Sequence, residues 1–442
     1  MAAFSRGDIE GIVNTPRVIV DDSPLVSDLC RQFEFYKLRG IRQLSFVDLN
    51  NTNSTQSRLS HSIDTYYNCL VICEALGLSD EDKKLVSAAS LLHDVGYMAY
   101  GHITDRVRVL KGLPSHDRIG AEIVRGNFKI NKKGKPKIDN ADKIPSILDS
   151  YEIDKDVVAQ LIEGSHNARP YLQQIISGPH DGDRISYVRR DSRQANLKFH
   201  RFDVSGLIAS MFLKDNHICL SEEGVALALE LNAARNIMHE ELYNNPNNVC
   251  ANEMLEIALL RGNIDLDDYF ELNDDEFCYK IKLELSEKAE AEKTILFQDW
   301  ATPALKLISR IHDGNLYVPA FSVYRKDSPG IEEVVDAKKK CNIEAEIARA
   351  AGLGIGDVII KLPVKGKNSQ RVDSLISYVV DNGEVMRQRD SITHEFENGV
   401  KEKYGIRVVD DSSYPVVRVF CDRQHKKRVE DAARDYFKLK CL

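Results

Sequence analysis

The 442-residue chain has no apolar run near the ~18 residues that a membrane span requires, and its first residues, Met1-Ala-Ala-Phe-Ser-Arg-Gly-Asp8, lack the apolar core of a secretion signal. It has no Cys-x-x-Cys pair. The nine cysteines are scattered, and Cys69 and Cys73 stand four apart on an apolar helical stretch, a spacing that suits packing. An odd number of isolated cysteines in a long chain argues against a disulfide framework, so reduced thiols and a cytoplasmic location are expected. Basic residues are in short supply: 60 Lys and Arg against 68 Asp and Glu leave a net charge of −8. That disfavours a broad electrostatic grip on nucleic acid but leaves room for a small arginine-lined pocket. Internal repeats and extended low-complexity tracts are absent as well.

What the chain does have is apolar residues, 43%, and enough length for two or three domains with buried cores. Residues 1–24 read as an extended entry segment, with Val18-Ile-Val20 a short strand. From Leu25 to about residue 200 the apolar spacing is helical, including Asp28–Leu44, Ile63–Leu78 and Asp80–Leu92, the last capped by Ser79 or Asp80. Asn50–Ser57 is a polar loop, and Lys132–Lys137 is a basic insertion broken by Gly and Pro. Residues 201–310 read as a helical extension, with helices at Glu222–Tyr243, Cys250–Leu260 and Ile281–Phe297. From 311 to 442 the texture changes. Leu316–Pro319, Asp357–Pro363 and Tyr414–Phe420 look like strands, and Glu344–Ala351 and Gln424–Leu439 like helices. The expectation is a mainly α protein: a helical core over 25–200, its extension, and a smaller C-terminal α+β module.

The chemistry concentrates in His93-Asp94, which ends the apolar run Leu85–Leu92. An imidazole and a carboxylate at a helix end can address one cation. Alone the pair means little. Here Arg58-Leu-Ser-His61 precedes it and Asp183-Arg-Ile-Ser-Tyr187 follows it, so His61, His93, Asp94 and Asp183 spread over about 120 residues. Two imidazoles and two carboxylates without a thiolate suit Mn, Fe, Mg, Co or Ni better than a structural Zn. A bound divalent ion acidifies water and screens a phosphate.

The flanks sharpen this. Glu34–Leu44, Arg58–His61, His93-Asp94-Val-Gly96, His102-Ile-Thr-Asp105, His116-Asp117 and Asp183–Asp191 occur in one order. Together they resemble the HD-domain deoxynucleoside triphosphate triphosphohydrolases over roughly residues 16–245. The resemblance implies an HD-domain helical fold and metal-dependent cleavage of a dNTP to deoxynucleoside and inorganic triphosphate. It implies His61, His93, Asp94 and Asp183 as metal ligands and Arg58 as an α-phosphate contact. His102 and His116 stand near the scissile bond, with Asp105 orienting the second. Gln43 and Leu44 read the sugar 3′-hydroxyl and crowd a 2′-hydroxyl. Tyr187 and Asp191 form the sugar-side wall, and Arg184 stands where a lysine faces phosphate. Arg235 and Tyr243 keep the spacing of a phosphate contact and a sugar-stacking tyrosine. Arg189 or Arg190 is a further phosphate donor. Taken singly, Gln43 and Leu44 end a helix, and Arg235 pairs with Glu240 or Glu241 on its own helix.

The resemblance also implies a homo-oligomer, dimer or tetramer, and a nucleotide effector. The C-terminal basic clusters at Arg325-Lys326, Lys365–Lys367, Arg387, Arg389 and Lys426–Arg428 are either solvated surface or an effector or subunit interface. The pattern departs from the family at Tyr97, where a histidine is usual, at Ala99-Tyr100-Gly101 before His102, and at Tyr36 in the effector segment. Tyrosine donates one hydrogen bond and carries no positive charge at neutral pH. These departures keep two alternatives open: a hydrolase of another nucleotide (a monophosphate, a cyclic dinucleotide or single-stranded nucleic acid), and a nucleotide sensor.

Overall fold

A computed structural model describes residues 23–128, 143–197, 202–292, 301–324, 340–362, 378–381, 384–387 and 415–440. The strand read at Val18–Val20, the insertion at 132–137, and the basic positions 325–326, 365–367 and 389 lie outside these residues. The described helices begin with α1 (Pro24–Cys30), α2 (Arg58–Ala75), α3 (Asp80–Leu92), α4 (His102–Leu110) and α5 (His116–Arg125). They continue with α6 (Lys143–Ser150), α7 (Lys155–Glu163), α8 (Pro170–Ser177), α9 (Gly182–Gln194) and α10 (Val204–Ala209). After a hairpin, β1 (Met211–Lys214) and β2 (His217–Leu220), come α11 (Glu222–Met238), α12 (Pro246–Arg261), α13 (Asp274–Glu292) and α14 (Ala301–His312). The C-terminal region adds β3 (Val318–Tyr324), α15 (Lys340–Ala350), β4 (Val358–Lys361), β5 (Tyr378–Asp381), β6 (Glu384–Arg387), β7 (Pro415–Cys421) and α16 (Lys426–Lys440). The protein is mainly helical, with an HD-type helical core and a small α+β module, as expected.

Local chemistry sets the helix starts that matter for the site. Ser57 accepts from the Ser60 amide and opens α2; Ser79, with three acidic residues after it, opens α3; Asp181 accepts from the Arg184 amide and opens α9. The axes of α2 and α9 approach closely at Gly182, where a Cβ would stand 2.3 Å from Cys69 Sγ and 2.9 Å from its amide nitrogen. Only glycine fits there. The contact sets Asp183 beside α2, which carries His61 about two turns before Cys69.

Three stretches differ from the sequence reading. The apolar run Asp28–Leu44 is not one helix: α1 is followed by a short turn at Phe33–Tyr36 and a tight 3₁₀ turn at Lys37–Gly40. The buried Lys37 ammonium causes the break, because it donates to the carbonyls of Tyr97 (2.7 Å) and Phe270 (3.3 Å), far away in the chain. Residues 201–310 are not wholly helical, since β1 and β2 form a hairpin. Its two-residue turn, Asp215-Asn216, holds φ of 51° and 61°, the conformation that Asp and Asn tolerate best among non-glycine residues. Finally, β5 pairs with β2 in parallel and with β6 antiparallel, giving the order β1-β2-β5-β6. That pairing joins segments about 160 residues apart, beyond the reach of periodicity.

The second sheet, β3-β7-β4, is antiparallel. Val358, Ile360, Val417 and Val419 pack with Ile347, Val429 and Phe437 of α15 and α16. Ile359 and Phe420 point the other way and join the main helical core. A sheet covered on both faces explains the unbroken apolar run Val358-Ile-Ile360.

The seam between the module and the core is ionic. Glu253 on α12 is 1% exposed and takes Lys340 of α15 (2.8 Å) and Lys361 of β4. One turn on, Glu256 pairs with Arg106 of α4 at 3.1 Å. Burial alone would raise the Glu253 pKa; Lys361 and Lys340 outweigh it and hold the carboxyl at about 2. Replacing Glu253 by leucine strands two lysines against a dry surface. We expect a loss of about 3 kcal/mol in denaturant titrations, the low end for breaking a buried pair because both lysines keep some water. A folded-state pKa below the unfolded value of ~4.3 gives stability that is full above that pH and is lost as pH falls toward 2. The E253L variant is therefore expected to show a flatter acid limb than the parent over that window.

Candidate active site and metal centre

Five helices bring their chemistry to one cavity of about 530 Å³, lined by residues from positions 43 to 252. The N-terminal turn of α2 supplies Arg58 and His61, and the end of α3 supplies His93 and Asp94. α9 supplies Asp183, Tyr187 and Asp191, and the first residues of α4 and α5 supply His102 and His116.

His61 Nε2 lies 2.8 Å from Asp183 Oδ1, and His93 Nε2 lies 3.9 Å from the same oxygen. One donor from each of these three residues lies within 4.8 Å of the others. Each imidazole has a backing interaction on Nδ1. His93 Nδ1 donates to the Ser90 carbonyl at 2.8 Å, so its lone pair sits on Nε2, which is buried and has no hydrogen-bond partner. The Ser186 hydroxyl donates to Asp64 Oδ2 at 2.8 Å, so its oxygen accepts from His61 Nδ1 at 3.4 Å. Both imidazoles thus turn Nε2 to the point that Asp183 also faces. The orphaned His93 nitrogen, the His61 nitrogen now in contact with Asp183, and that carboxylate fit a divalent cation with mixed N and O ligands.

Asp94 stands beside this trio. Its Oδ2 is held by Arg58 Nη1 at 2.9 Å, and Oδ1 lies 3.3 Å from His93 Nε2. Arg58 is 1% exposed, yet its Nε and Nη2 have no partner. Gly101 allows this placement: its φ of 49° and ψ of −113° suit only glycine, and a Cβ there would lie 2.4 Å from Arg58 Nη2. Two unspent guanidinium donors beside a metal trio are suited to an anion.

Tyr97 occupies the centre of the wall. The Arg58 guanidinium lies 3.5 Å from its ring centroid, and the His116 imidazole stacks on the ring at 3.7 Å. Its hydroxyl lies 2.7 Å from His102 Nδ1. Burial raises the Tyr97 pKa well above the ordinary value, so the hydroxyl keeps its hydrogen and can donate it to Nδ1. In that arrangement His102 carries its own ring hydrogen on Nε2. Water reaches the ring from the cavity, but the surrounding protein and the Arg58 and His116 charges push its pKa down to about 3. His116 goes the other way. Burial opposes its charge, but Asp105 (3.0 Å) and Asp117 (3.0 Å) outweigh that and raise it to about 9. Asp105 also accepts the His116 amide at 2.6 Å, so it fixes both backbone and ring.

The other sequence-expected residues divide. Gln43, Leu44, Tyr187, Asp191, Arg235 and Tyr243 line the cavity. Arg235 Nε donates to the Tyr187 hydroxyl at 2.7 Å, which displaces the pairing with Glu240 or Glu241 considered from sequence. Asp191 accepts from Tyr243 (2.8 Å) and Gln56 (2.7 Å), and burial raises its pKa to about 6. Asp105 stands behind His116, off the lining. Arg184 turns to the Pro179 carbonyl and lies off the lining too. Arg189 binds Asp64 (3.1 Å) and Arg190 the Ser60 carbonyl (2.8 Å); both brace α2. At the C-terminal basic cluster, Lys427 is 77% exposed and pairs with Asp431, as a solvated surface does.

Sequence reasoning passed over Asp64, Ser186, Asp117, His239, Asn248 and Asn252. His239 begins a π-turn, His239–Tyr243, a distortion frequent at functional sites. Asp64 had a readable signal, since it lies three residues after His61 on one helix face. Asn248 and Asn252 had none beyond their i, i+4 spacing.

Residues 58–197 match the HD domain, and residues 202–441 match the HD associated region. The second match alone spans more than half of the sequence, and the chain belongs to this family of HD phosphohydrolases. The uncharacterized protein YwfO of Bacillus subtilis is 24% identical over 227 residues, 50% of this chain and 48% of YwfO. Human deoxynucleoside triphosphate triphosphohydrolase SAMHD1 is 25% identical over 296 residues, 59% of this chain and 46% of SAMHD1. The chain spans about half the length of these curated relatives. Two solved structures share its fold. A hypothetical protein from Aquifex aeolicus has a TM-score of 0.63 at 19% identity, covering 93% of this chain and 95% of that one. A phosphohydrolase from Bacteroides thetaiotaomicron has a TM-score of 0.61 at 16% identity, covering 93% and 98%.

The backing of His61 is open to test. Ser186→Ala removes the acceptor that fixes its tautomer. Metal affinity, read by competition with a fluorescent chelator, is expected to fall about 10- to 100-fold while the far-UV spectrum stays unchanged. Unaltered affinity would remove Ser186 from the metal site.

Proposed function

We propose that this chain hydrolyses deoxynucleoside triphosphates to deoxynucleoside and inorganic triphosphate. The observation that carries the reading is one cavity in which a His61–His93–Asp183 trio adjoins the unspent donors of Arg58, while Gln43, Leu44 and Tyr243 line the same space. Its volume lies within the ~300–1,000 Å³ of small-molecule sites. The similarity to SAMHD1, whose name states this activity, supports the choice of substrate.

His61, His93 and Asp183 would hold a divalent ion, which when bound acidifies water and offsets phosphate charge. Arg58 offers Nε and Nη2 to a phosphate oxygen. Neutral His102 donates from Nε2 to a second one, its ring steadied by Tyr97. His116 is protonated at neutral pH and aligned by Asp105, and its Nε2 hydrogen, which faces Asp117 at 3.0 Å, is the proton it would give to the departing 5′ oxygen in place of that carboxylate. Tyr97 thus takes over an orienting role at a position where a histidine would add charge. Leu44 crowds the sugar 2′ position, and Gln43 serves the 3′-hydroxyl.

Purified protein with Mn²⁺ and each dNTP is expected to release triphosphate, identified by ion chromatography. Asp183→Ala should abolish turnover; release of orthophosphate or pyrophosphate instead would refute the reading. Leu44→Ala should narrow the dATP-over-ATP preference by about tenfold, the scale of a few lost methyl contacts.

The acid role of His116 sets a pH limb. kcat/KM is expected to fall as pH rises through about 9. Asp105→Asn removes an anion that favours the imidazolium, so the limb should move to lower pH. A limb that stays in place would assign it to another group.

A further inference from the structure

We infer that Asn248 and Asn252 select nucleobases that carry an exocyclic amino group; this inference rests on the nucleotide reading of the cavity. Helix α12 contributes these two residues to the lining and none to the metal trio or the cationic wall. Their carbonyl oxygens, Asn248 Oδ1 and Asn252 Oδ1, are buried and have no hydrogen-bond partner, and the same holds for Gln43 Oε1 across the cavity. Asn248 is 4% exposed, and its Nδ2 donates to the Tyr243 carbonyl at 2.9 Å. A flipped amide would set two oxygens face to face, so Oδ1 is the free atom.

Buried acceptors left unpaired are costly, and a ligand that supplies N–H or O–H groups relieves that cost. A deoxynucleoside triphosphate has few donors. Its phosphates only accept at neutral pH, and its sugar offers one hydroxyl. Three orphaned oxygens therefore outnumber the sugar's single donor, and the remainder must come from the base. Asn248 and Asn252 are four residues apart on one helix, which places their side chains side by side at about 5–6 Å between Cβ atoms. A ring N–H, as uracil and hypoxanthine carry, supplies one donor, whereas an exocyclic amino group has two N–H bonds that diverge, one for each oxygen. Uracil and hypoxanthine place a carbonyl at the corresponding position, which would oppose oxygen to oxygen. Asp191 in the same lining is already engaged by Tyr243 and Gln56.

The test compares deamination pairs, which differ at one exocyclic group: dCTP against dUTP, and dATP against dITP. For wild-type protein, dissociation constants are measured by equilibrium dialysis in EDTA, and kcat/KM is measured with Mn²⁺. The amino member is expected to be favoured at least about tenfold in both, since a site built for an N–H rejects its replacement strongly. Asn252→Leu should cut that preference to below threefold, through weaker dCTP and dATP, while dUTP stays within threefold of wild type; Asn248→Leu should also cut the preference, with weaker binding of every nucleotide because its bond to the Tyr243 carbonyl is lost as well. The retained dUTP value also reports that the variant is folded. If Asn248→Leu fails to fold, Asn252→Leu decides alone. Equal treatment of both members of each pair, or a preference that survives both substitutions, overturns the inference while leaving triphosphate hydrolysis standing. Preferential binding of dCTP and dATP without turnover overturns the hydrolysis reading and supports the inference. Absence of both binding and turnover overturns both.

Discussion

Everything at this site depends on bringing several charged and ionisable groups to one buried point without leaving a charge uncompensated. An isolated buried carboxylate is prohibitively costly, so each must find a partner. Asp94 has Arg58, Asp64 has Ser186 and Arg189, Asp105 has His116, and Asp183 faces two imidazoles. The close approach of α9 to α2 at Gly182 lets these sets interlock, since any side chain there would hold Asp183 away from His61.

The cavity is chemically divided as a result. One part holds lone pairs and cations: the trio, Arg58, and the oppositely tuned pair His102 and His116. A second part is internally paired, with Asp191 accepting from Tyr243 and Gln56. A third part has acceptors waiting for hydrogen. Tyr97 makes the first division workable. Clamped between Arg58 and His116, it separates two cations with an aromatic face that attracts both.

Helix α12 ties this cavity to the C-terminal module. One of its faces presents Asn248 and Asn252 to the cavity; Glu253 and Glu256 on the same helix hold Lys340, Lys361 and Arg106. Arg106 follows Asp105 directly, so the anchor of His116 and the ionic seam occupy neighbouring positions on α4. The α+β module is thus mechanically continuous with the site wall.

Much of this was legible beforehand. His61, His93, Asp94 and Asp183 stood out because a metal site needs particular donor atoms, and the residue types able to supply them are few. The long helices were visible because burial of one face imposes a 3.6-residue period. The β1–β2 hairpin carried a signal in Asp215-Asn216 that the surrounding helical texture outweighed. Other features had no local signature. Nothing near Lys37 announces that distant carbonyls will break its helix, and nothing near β5 announces β2 as its partner. The arginines show the limit most clearly. Arg58, Arg184, Arg189 and Arg190 look alike in sequence, yet Arg58 keeps free donors at the cavity while the other three are turned to Pro179, Asp64 and Ser60. Residue identity and spacing by themselves determined the fold class and pointed to the residues among which the His61–His93–Asp183 cluster is found, because donor chemistry and amphipathic period are properties of the chain. Which side chains are spent on structure and which remain free for a ligand was decided only by the tertiary structure, because a hydrogen bond belongs to two groups and the second is usually distant in sequence.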